Sequence, residues 1–366
     1  MKKIELKTGT LSIQESGELS NLVDYGSRIN KKRGFLFVSK VLGKHLPVSP
    51  IVMEETYQKL SKLIPQNDEL TLFVGFAETA TALGHGVFDC YRSKNSLYIH
   101  STRYQTSDPI FFSFYEEHCH APSHIFYEPR DPKLKEQMKK VTRVVLIDDE
   151  VSTGNTANNL VEQMKKVLPA VKKYYLLTIL NWAEKEYDNF EYLSLYRGSF
   201  SFSPDKDALS RIETVVSEPE VVVNLDDIIP NGYARYGTSL TKQLPNISTL
   251  LPQIRGRTLV LGTSEFMYHP YLLARYLESE GIDVMYQATT RSPVNVDGAI
   301  TSKIVFKDNY FENIDNFLYN VIDRDYDTVI ICYETTALPL DFDLKEQLKN
   351  KFKVIEYFFN KEGYTK

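Results

Sequence analysis

RVVLIDDEVSTGNTANNLV, residues 143–161, runs from four apolar positions, Val144 to Ile147, through adjacent carboxylates at Asp148 and Asp149 into a small hydroxyl-rich loop, Ser152-Thr153-Gly154-Asn155-Thr156. Apolar residues without alternation fit a central parallel strand covered on both faces. The segment after the loop reads as a helix, because Leu160, Val161, Met164, Val167 and Leu168 recur on one face and Pro169 stops the pattern. A strand, loop and helix in this order put the loop at the carboxyl end of a strand. Ligands of open α/β sheets bind there, and helix N-termini present unpaired N–H groups to anions. The amides and hydroxyls suit a phosphate, with Gly154 allowing a tight turn around it, while Asp148 and Asp149 can accept hydrogen bonds from vicinal hydroxyls. Phosphate beside a diol describes a pentose phosphate. Ordinary helix capping explains one or two of these residues, but not a carboxylate pair behind a buried strand.

Outward from this unit, similar apolar runs occur at LTLFVGF (70–76), YYLLTIL (174–180), TLVLG (258–262) and DTVIIC (327–332), with helical stretches between them. Alternation of this kind predicts α/β layers around a parallel sheet. Turn formers crowd residues 203–256, which marks a connector and places a domain boundary near residue 235, giving 1–234 and a smaller 235–366. The two halves echo each other. TLFVGFAET and TLVLGTSEF each carry a strand to a glycine with an acid three positions on, Glu78 and Glu265, and continue into a helix. A second strand then closes on a hydroxyl-Thr-Arg triplet at Arg103 and Arg291. RVVLIDDEVST and DTVIICYETT follow at nearly matching distances, which predicts a duplicated unit whose second copy has Cys332-Tyr333 in place of the paired aspartates. Chance similarity among strand-turn-helix units is the competing explanation.

The chain has 366 residues, 42% of them hydrophobic, enough for two cores at roughly 100 to 200 residues per domain. No apolar run approaches the about 20 residues of a membrane span, and MKKIELKTGTLSIQ has no apolar h-region. Cys90, Cys119 and Cys332 show no CxxC spacing, so neither a disulfide framework nor a structural zinc site is expected, and a reducing cytoplasm fits best. A net charge of -5 offers no general attraction to nucleic acid or anionic lipid.

The 143–161 stretch resembles the PRPP-binding signature of type I phosphoribosyltransferases, except that Glu150 stands where an apolar residue is usual. The resemblance implies that Asp148 and Asp149 hold the ribose 2- and 3-hydroxyls, with Mg2+ bound through PRPP, and that Ser152 to Thr156 wrap the 5-phosphate. Ser152 weighs against hypoxanthine or guanine, since family members that take 6-oxopurines have an aspartate there. VGFAETATALGHG would be the pyrophosphate loop, with Gly75, Ala77, Glu78, Thr79 and Thr81 against the charged group. Glu78 would act through magnesium or hold a basic side chain; a first-turn helix acid is its plainer explanation. Arg103 sits where family members have loop residues that cover PRPP, and a solvated surface arginine is the alternative. Glu150 and the histidines His118, His120 and His124 are the candidates for a general base.

Two more clusters stand out. SRINKKRGFLFVSKVLGKHLP (27–47) sets Arg28, Lys31, Lys32, Arg33, Lys40, Lys44 and His45 around an apolar core, a local positive field from which Lys44 and His45 are taken as ligand contacts. FYEEHCHAPSH (114–124) gathers Glu116, Glu117, His118, Cys119, His120 and His124. Its spacing fits no common structural zinc site, so His118, His120 and His124 are read as a hood over the acceptor. With LGTSEF and TTRSP added, nearly the whole chain is similar to PRPP-binding proteins of tellurium-resistance-associated gene clusters, which join a phosphoribosyltransferase domain to a C-terminal TRSP domain, here Thr290-Arg291-Ser292-Pro293. That resemblance implies transfer of ribose 5-phosphate to a base or related acceptor, in synthesis of a nucleoside-like metabolite. A PRPP or nucleotide sensor without turnover is the second expectation. Ser264, Glu265, Arg291 and Ser292 would line any pocket of the second domain, and a homodimer is compatible with the fold.

Overall fold

The computed structural model describes residues 1–14, 16–30, 33–115, 123–205, 207–208, 233–239 and 247–359. These fall into two compact units. One is formed by the described residues of Glu54–Arg197 and Asn224–Gln243, the other by those of Met1–Met53, Gly198–Val223 and Leu244–Lys366.

The first unit is built on a five-stranded sheet in the spatial order Glu191–Arg197, Lys173–Asn181, Arg143–Val151, Thr71–Gly75, Ser96–His100. Every pairing is parallel. Numbered along the chain, this is the doubly wound order 2-1-3-4-5. The central strands are continuous apolar runs because both faces are covered: Leu72, Phe73, Val74 and Val144 to Ile147 are all buried. Arg143 is fully buried as well, and its guanidinium donates to Thr71 Oγ1 (2.8 Å), Pro65 O (2.7 Å) and Tyr91 Oη (2.6 Å). That buried cation anchors the start of the strand, at the end opposite Asp148.

The second unit carries a four-stranded parallel sheet, Val284–Ala288, Thr258–Gly262, Thr328–Tyr333, Lys353–Phe358. Its chain order is 2-1-3-4, the same winding one strand shorter. Local bonds repeat too. Ser101 N–H donates to Gly75 O and Thr289 N–H to Gly262 O, both at 3.0 Å. Ala77 N–H meets Ser101 Oγ at 2.8 Å, and Ser264 N–H meets Thr289 Oγ1 at 2.9 Å. Thr102 exchanges backbone bonds with Ile125 as Thr290 does with Phe317. Tyr98 and Tyr286 each brace the start of the preceding helix, on Thr81 O (2.8 Å) and Met267 O (2.9 Å). The repeat is therefore one of tertiary structure, and it corrects the alignment by one residue: Gly75 pairs with Ile147 and Gly262 with Cys332, so Tyr333 and Glu334 answer to the two aspartates.

Compactness divides the chain differently from a single cut near residue 235. The first 53 residues pack with the C-terminal segment. Lys2–Leu6, Gly9–Ile13 and Phe200–Pro204 form one antiparallel sheet. In the hairpin of Val23–Ser27 and Phe35–Ser39, Ser27 O and Tyr25 O accept from Asn295 N–H (3.0 Å) and Ala299 N–H (2.8 Å). Val48 and Tyr286 exchange both backbone bonds. These are main-chain pairings between segments far apart in sequence, which hydrophobic periodicity does not record.

Candidate functional site

In a sheet of order 2-1-3-4-5 the winding reverses between strands 1 and 3, and the loops that leave their carboxyl ends part to open a crevice. Those strands are Thr71–Gly75 and Arg143–Val151, which end side by side, with Gly75 paired to Ile147 and Phe76 N–H donating to Ile147 O (3.1 Å). The pyrophosphate-loop and ribose-phosphate-loop candidates thus meet at one edge.

Asp148, Asp149 and Glu150 close their strand half-buried, and Asp149 N–H donates to Asp148 Oδ1 at 2.9 Å. Ser152 and Thr153 are exposed. Gly154 turns the chain at φ 79° into the helix Asn155–Val167, and a Cβ there would stand 2.8 Å from Tyr192 Oη. Only glycine combines that backbone with that approach at low cost. Tyr187 Oη donates to Asn155 Oδ1 (2.8 Å), holding the loop from its outer side. The helix faces its buried Ala157, Leu160, Val161 and Met164 inward, which leaves its N-terminal amides at the crevice.

Gly75 is enforced by packing. A Cβ would lie 2.5 Å from Tyr98 Oη and 2.8 Å from Ala80 O. The peptide Ala77-Glu78 is cis. Glu78 and Thr79 are half-buried, Ala77 and Thr81 are buried, and Thr81 Oγ1 donates to Glu78 O at 3.2 Å. The helix that follows, Ala80–Tyr91, begins beyond Glu78 and has no acid in its first turn, so Glu78 is a loop residue and not a first-turn acid.

Arg103 is turned onto this loop, its Nη2 donating to Ala77 O (3.3 Å) and lying 3.4 Å from His124 Nε2. His124 Nδ1 lies 2.9 Å from Ser101 Oγ, which also accepts from Ala77 N–H at 2.8 Å. Both polar groups of the Ala77 backbone are therefore gripped by one ring of side chains. Phe114 stacks on the imidazole, centroids 4.7 Å apart and planes at 8°. Ser101, Phe114, Tyr187 and Tyr192 were not foreseen as site residues. For Ser101 a signal existed, since the hydroxyl-Thr-Arg triplet recurs as Thr289-Thr290-Arg291.

Lys44 and His45 belong to the other unit. Lys44 is 2% exposed, and its Nζ donates to Ser264 O at 3.1 Å. The histidines His118 and His120 lie outside the described residues. Of the second-domain candidates, Ser264 and Glu265 are buried, and Arg291 is ion-paired with Glu312. Ser292 N–H donates to Thr290 Oγ1 at 3.1 Å and its O accepts from Tyr319 Oη at 2.8 Å. Burial pushes the Glu312 carboxyl above its ordinary value, only partly offset by Arg291, and Asp308 and Glu265 push it the same way. Tyr310 Oη donates to Glu334 at 2.5 Å. Among the described residues no three histidine, cysteine or acidic side chains are grouped as a metal site, and no helix is long and apolar enough to cross a membrane.

The chain matches a family model described as phosphoribosyl transferase over residues 22–196, and one described as TRSP domain, C-terminal to that transferase, over residues 232–348. Solved structures similar to it include adenine phosphoribosyltransferase from Rhodothermus marinus, with 14% identity over 50% of this chain and 99% of that one and a TM-score of 0.31. Adenine phosphoribosyltransferase from Trypanosoma brucei, in complex with AMP, pyrophosphate and ribose-5-phosphate, has 16% identity over 54% and 87%, TM-score 0.35. The xanthine-guanine-hypoxanthine phosphoribosyltransferase of Helicobacter pylori has 14% identity over 39% and 82%, TM-score 0.26. No curated protein matches the chain.

Proposed function

On the premise that the chain joins a phosphoribosyltransferase domain to a TRSP domain, we propose that it transfers ribose 5-phosphate from PRPP to a nitrogen base or related small acceptor and releases pyrophosphate. The observation that carries this reading is the meeting of the Asp148-Asp149 loop and the Gly75 loop at one switch-point crevice, with Arg103 held on the second.

In this reading the bond from ribose C1 to pyrophosphate oxygen breaks as the bond from C1 to the acceptor nitrogen forms on the opposite face. Positive charge develops on the ring and negative charge on the leaving group. Asp148 and Asp149 accept from the ring hydroxyls and favour the cationic ring electrostatically. The amides and hydroxyls of Ser152 to Thr156 fix the 5-phosphate at the helix N-terminus, so binding energy from a non-reacting group positions the reacting one. Arg103 and the Gly75–Thr81 loop stabilise the departing pyrophosphate, where one preorganised donor contributes about 10²–10³ in rate. Glu150, on the same strand end, is the candidate to take the acceptor's proton. The half-buried Asp148 and Asp149 suit a magnesium ion, a hard cation that takes oxygen ligands. When bound, that ion would neutralise pyrophosphate charge, with Asp148 and Asp149 as its protein contacts. The setting we propose is nucleoside-like metabolite synthesis in the cytoplasm.

Calorimetric titration of PRPP with Mg2+ into the intact protein and into Asp148→Asn/Asp149→Asn tests the reading. Binding to the first and not the second supports it and opens a screen of bases by pyrophosphate release. Absence of binding to either removes the transferase in favour of a sensor of another phosphorylated ligand.

A further inference from the structure

His124 is buried, stacked on Phe114 and bonded at both nitrogens. Its surroundings assign its proton. Arg103 can only donate, so Nε2 must accept. A neutral imidazole has a single N–H, which must then sit on Nδ1 and donate to Ser101 Oγ. An imidazolium would turn a second donor, and a second positive charge, on Arg103. The other tautomer would set two donors face to face.

The second copy supplies the comparison. Ile125 and Phe317 occupy the same place by their mutual backbone bonds with Thr102 and Thr290, so Asn316 stands where His124 does. Asparagine there is buried and its Nδ2 reaches Ile314 O at 3.5 Å. Its side chain is shorter than an imidazole and has no counterpart of the ring Nε2. The equivalent arginine, Arg291, pairs with Glu312. Arg103 donates to the glycine-loop carbonyl of Ala77 and lies beside His124 Nε2, whereas Arg291 pairs with Glu312.

Resting on the transferase reading, we propose that His124 is a positioning residue: as the neutral Nδ1–H tautomer it holds the Arg103 guanidinium on Ala77 O and, through Ser101, fixes the loop that receives the leaving pyrophosphate. It acts through Arg103 and does not contact the reacting atoms.

Two substitutions separate this role from general packing. His124→Asn keeps the donor toward Ser101 and removes the acceptor for Arg103. His124→Gln reaches the Nε2 position with an acceptor and loses the other. In the full-length protein with Mg2+, H124N should weaken PRPP and pyrophosphate affinity about 10-fold or more, as Arg103→Ala does, and H124Q should recover most of the loss. The double variant H124N/R103A should bind like R103A alone, because the histidine works only through the arginine. Equal losses in H124N and H124Q, or losses that multiply in the double variant, would overturn the proposal. Histidine 15N spectra of the wild type give a readout independent of ligand. A protonated Nδ1 and unprotonated Nε2 at neutral pH support it, and the opposite tautomer or an imidazolium defeats it even if PRPP binds. Failure of the wild type to bind PRPP or pyrophosphate would instead remove the transferase reading, and the positioning role with it.

Discussion

The strand Arg143–Val151 ends in half-buried Asp148 and Asp149 and hands over to exposed Ser152 and Thr153 before a glycine turn. Its counterpart Thr328–Tyr333 hands over to fully buried Glu334 and Thr335, then to Ala337-Leu338-Pro339. Both lie at the winding reversal of sheets with the same strand order. In each sheet a tyrosine on the strand beside the glycine strand bonds the segment after the glycine, Tyr98 on Thr81 O and Tyr286 on Met267 O. What differs is the destination of polar groups. In the first crevice the carboxylates are half-buried, Ser152 and Thr153 are exposed, and the arginine donates to a backbone carbonyl. In the second, Arg291 is held by Glu312, Glu334 by Tyr310 and Lys44 by Ser264 O. The shared features are what the winding needs to close. The carboxylate pair and the hydroxyl-rich loop, to which we assign ligand binding, occur in one copy. An incoming phosphate at the second crevice would have to displace a buried carboxylate from Arg291 with no amide loop to receive it.

The largest effect should come from deleting what is unique to the first copy. Asp148→Asn/Asp149→Asn should lower pyrophosphate release by about 10³-fold while leaving the unfolding midpoint nearly unchanged, which single-turnover assays and thermal melts check together. A variant that keeps turnover within a few-fold would erase the functional distinction between the copies. Next is Arg291→Ala, which strands Glu312 in a buried site. Denaturant unfolding at neutral pH should show a loss of about 3 kcal/mol, the lower end for a broken buried pair because Glu312 can take up a proton. PRPP affinity should stay unchanged in that variant; weakened PRPP binding would mean that the second copy serves the site. Gly154→Ala should be milder, weakening PRPP binding about 10-fold through roughly 1–2 kcal/mol of left-handed backbone strain at φ 79° and crowding by Tyr192.

The smallest effect is a pH slope. Glu312 has its folded pKa raised above the ordinary glutamate value of 4.5. Just above that value the folded state holds more protons at this position than the unfolded state does, so stability falls as pH rises through the window between the two. Glu312→Gln should flatten that part of the stability curve. An unchanged slope in the variant would show that the carboxyl is open to solvent, contrary to a sealed second crevice.

Continuous apolar strands, glycines ahead of helices and the acid pair behind a buried run were legible in one dimension, because each is a local requirement of winding or of phosphate contact. The repeat was legible for the same reason, though not its register. Cys332 and Tyr333 look like the obvious replacements for two aspartates until the pairing of Gly262 with Cys332 moves the correspondence onward to Tyr333 and Glu334. Lys44 and His45 carried charge that pointed to a ligand, and burial of Lys44 on Ser264 O gave that charge a structural partner instead. The sequence by itself thus determined the α/β winding and the place of the Asp148 to Thr156 loop after a central strand. Tertiary structure alone decided that the first 53 residues join the C-terminal segment, and that Ser101, His124 and Arg103 close a ring on Ala77. The reason is physical. Local periodicity is written in side-chain order, whereas main-chain bonds between distant segments and the direction of a guanidinium depend on which surfaces the folded chain brings together.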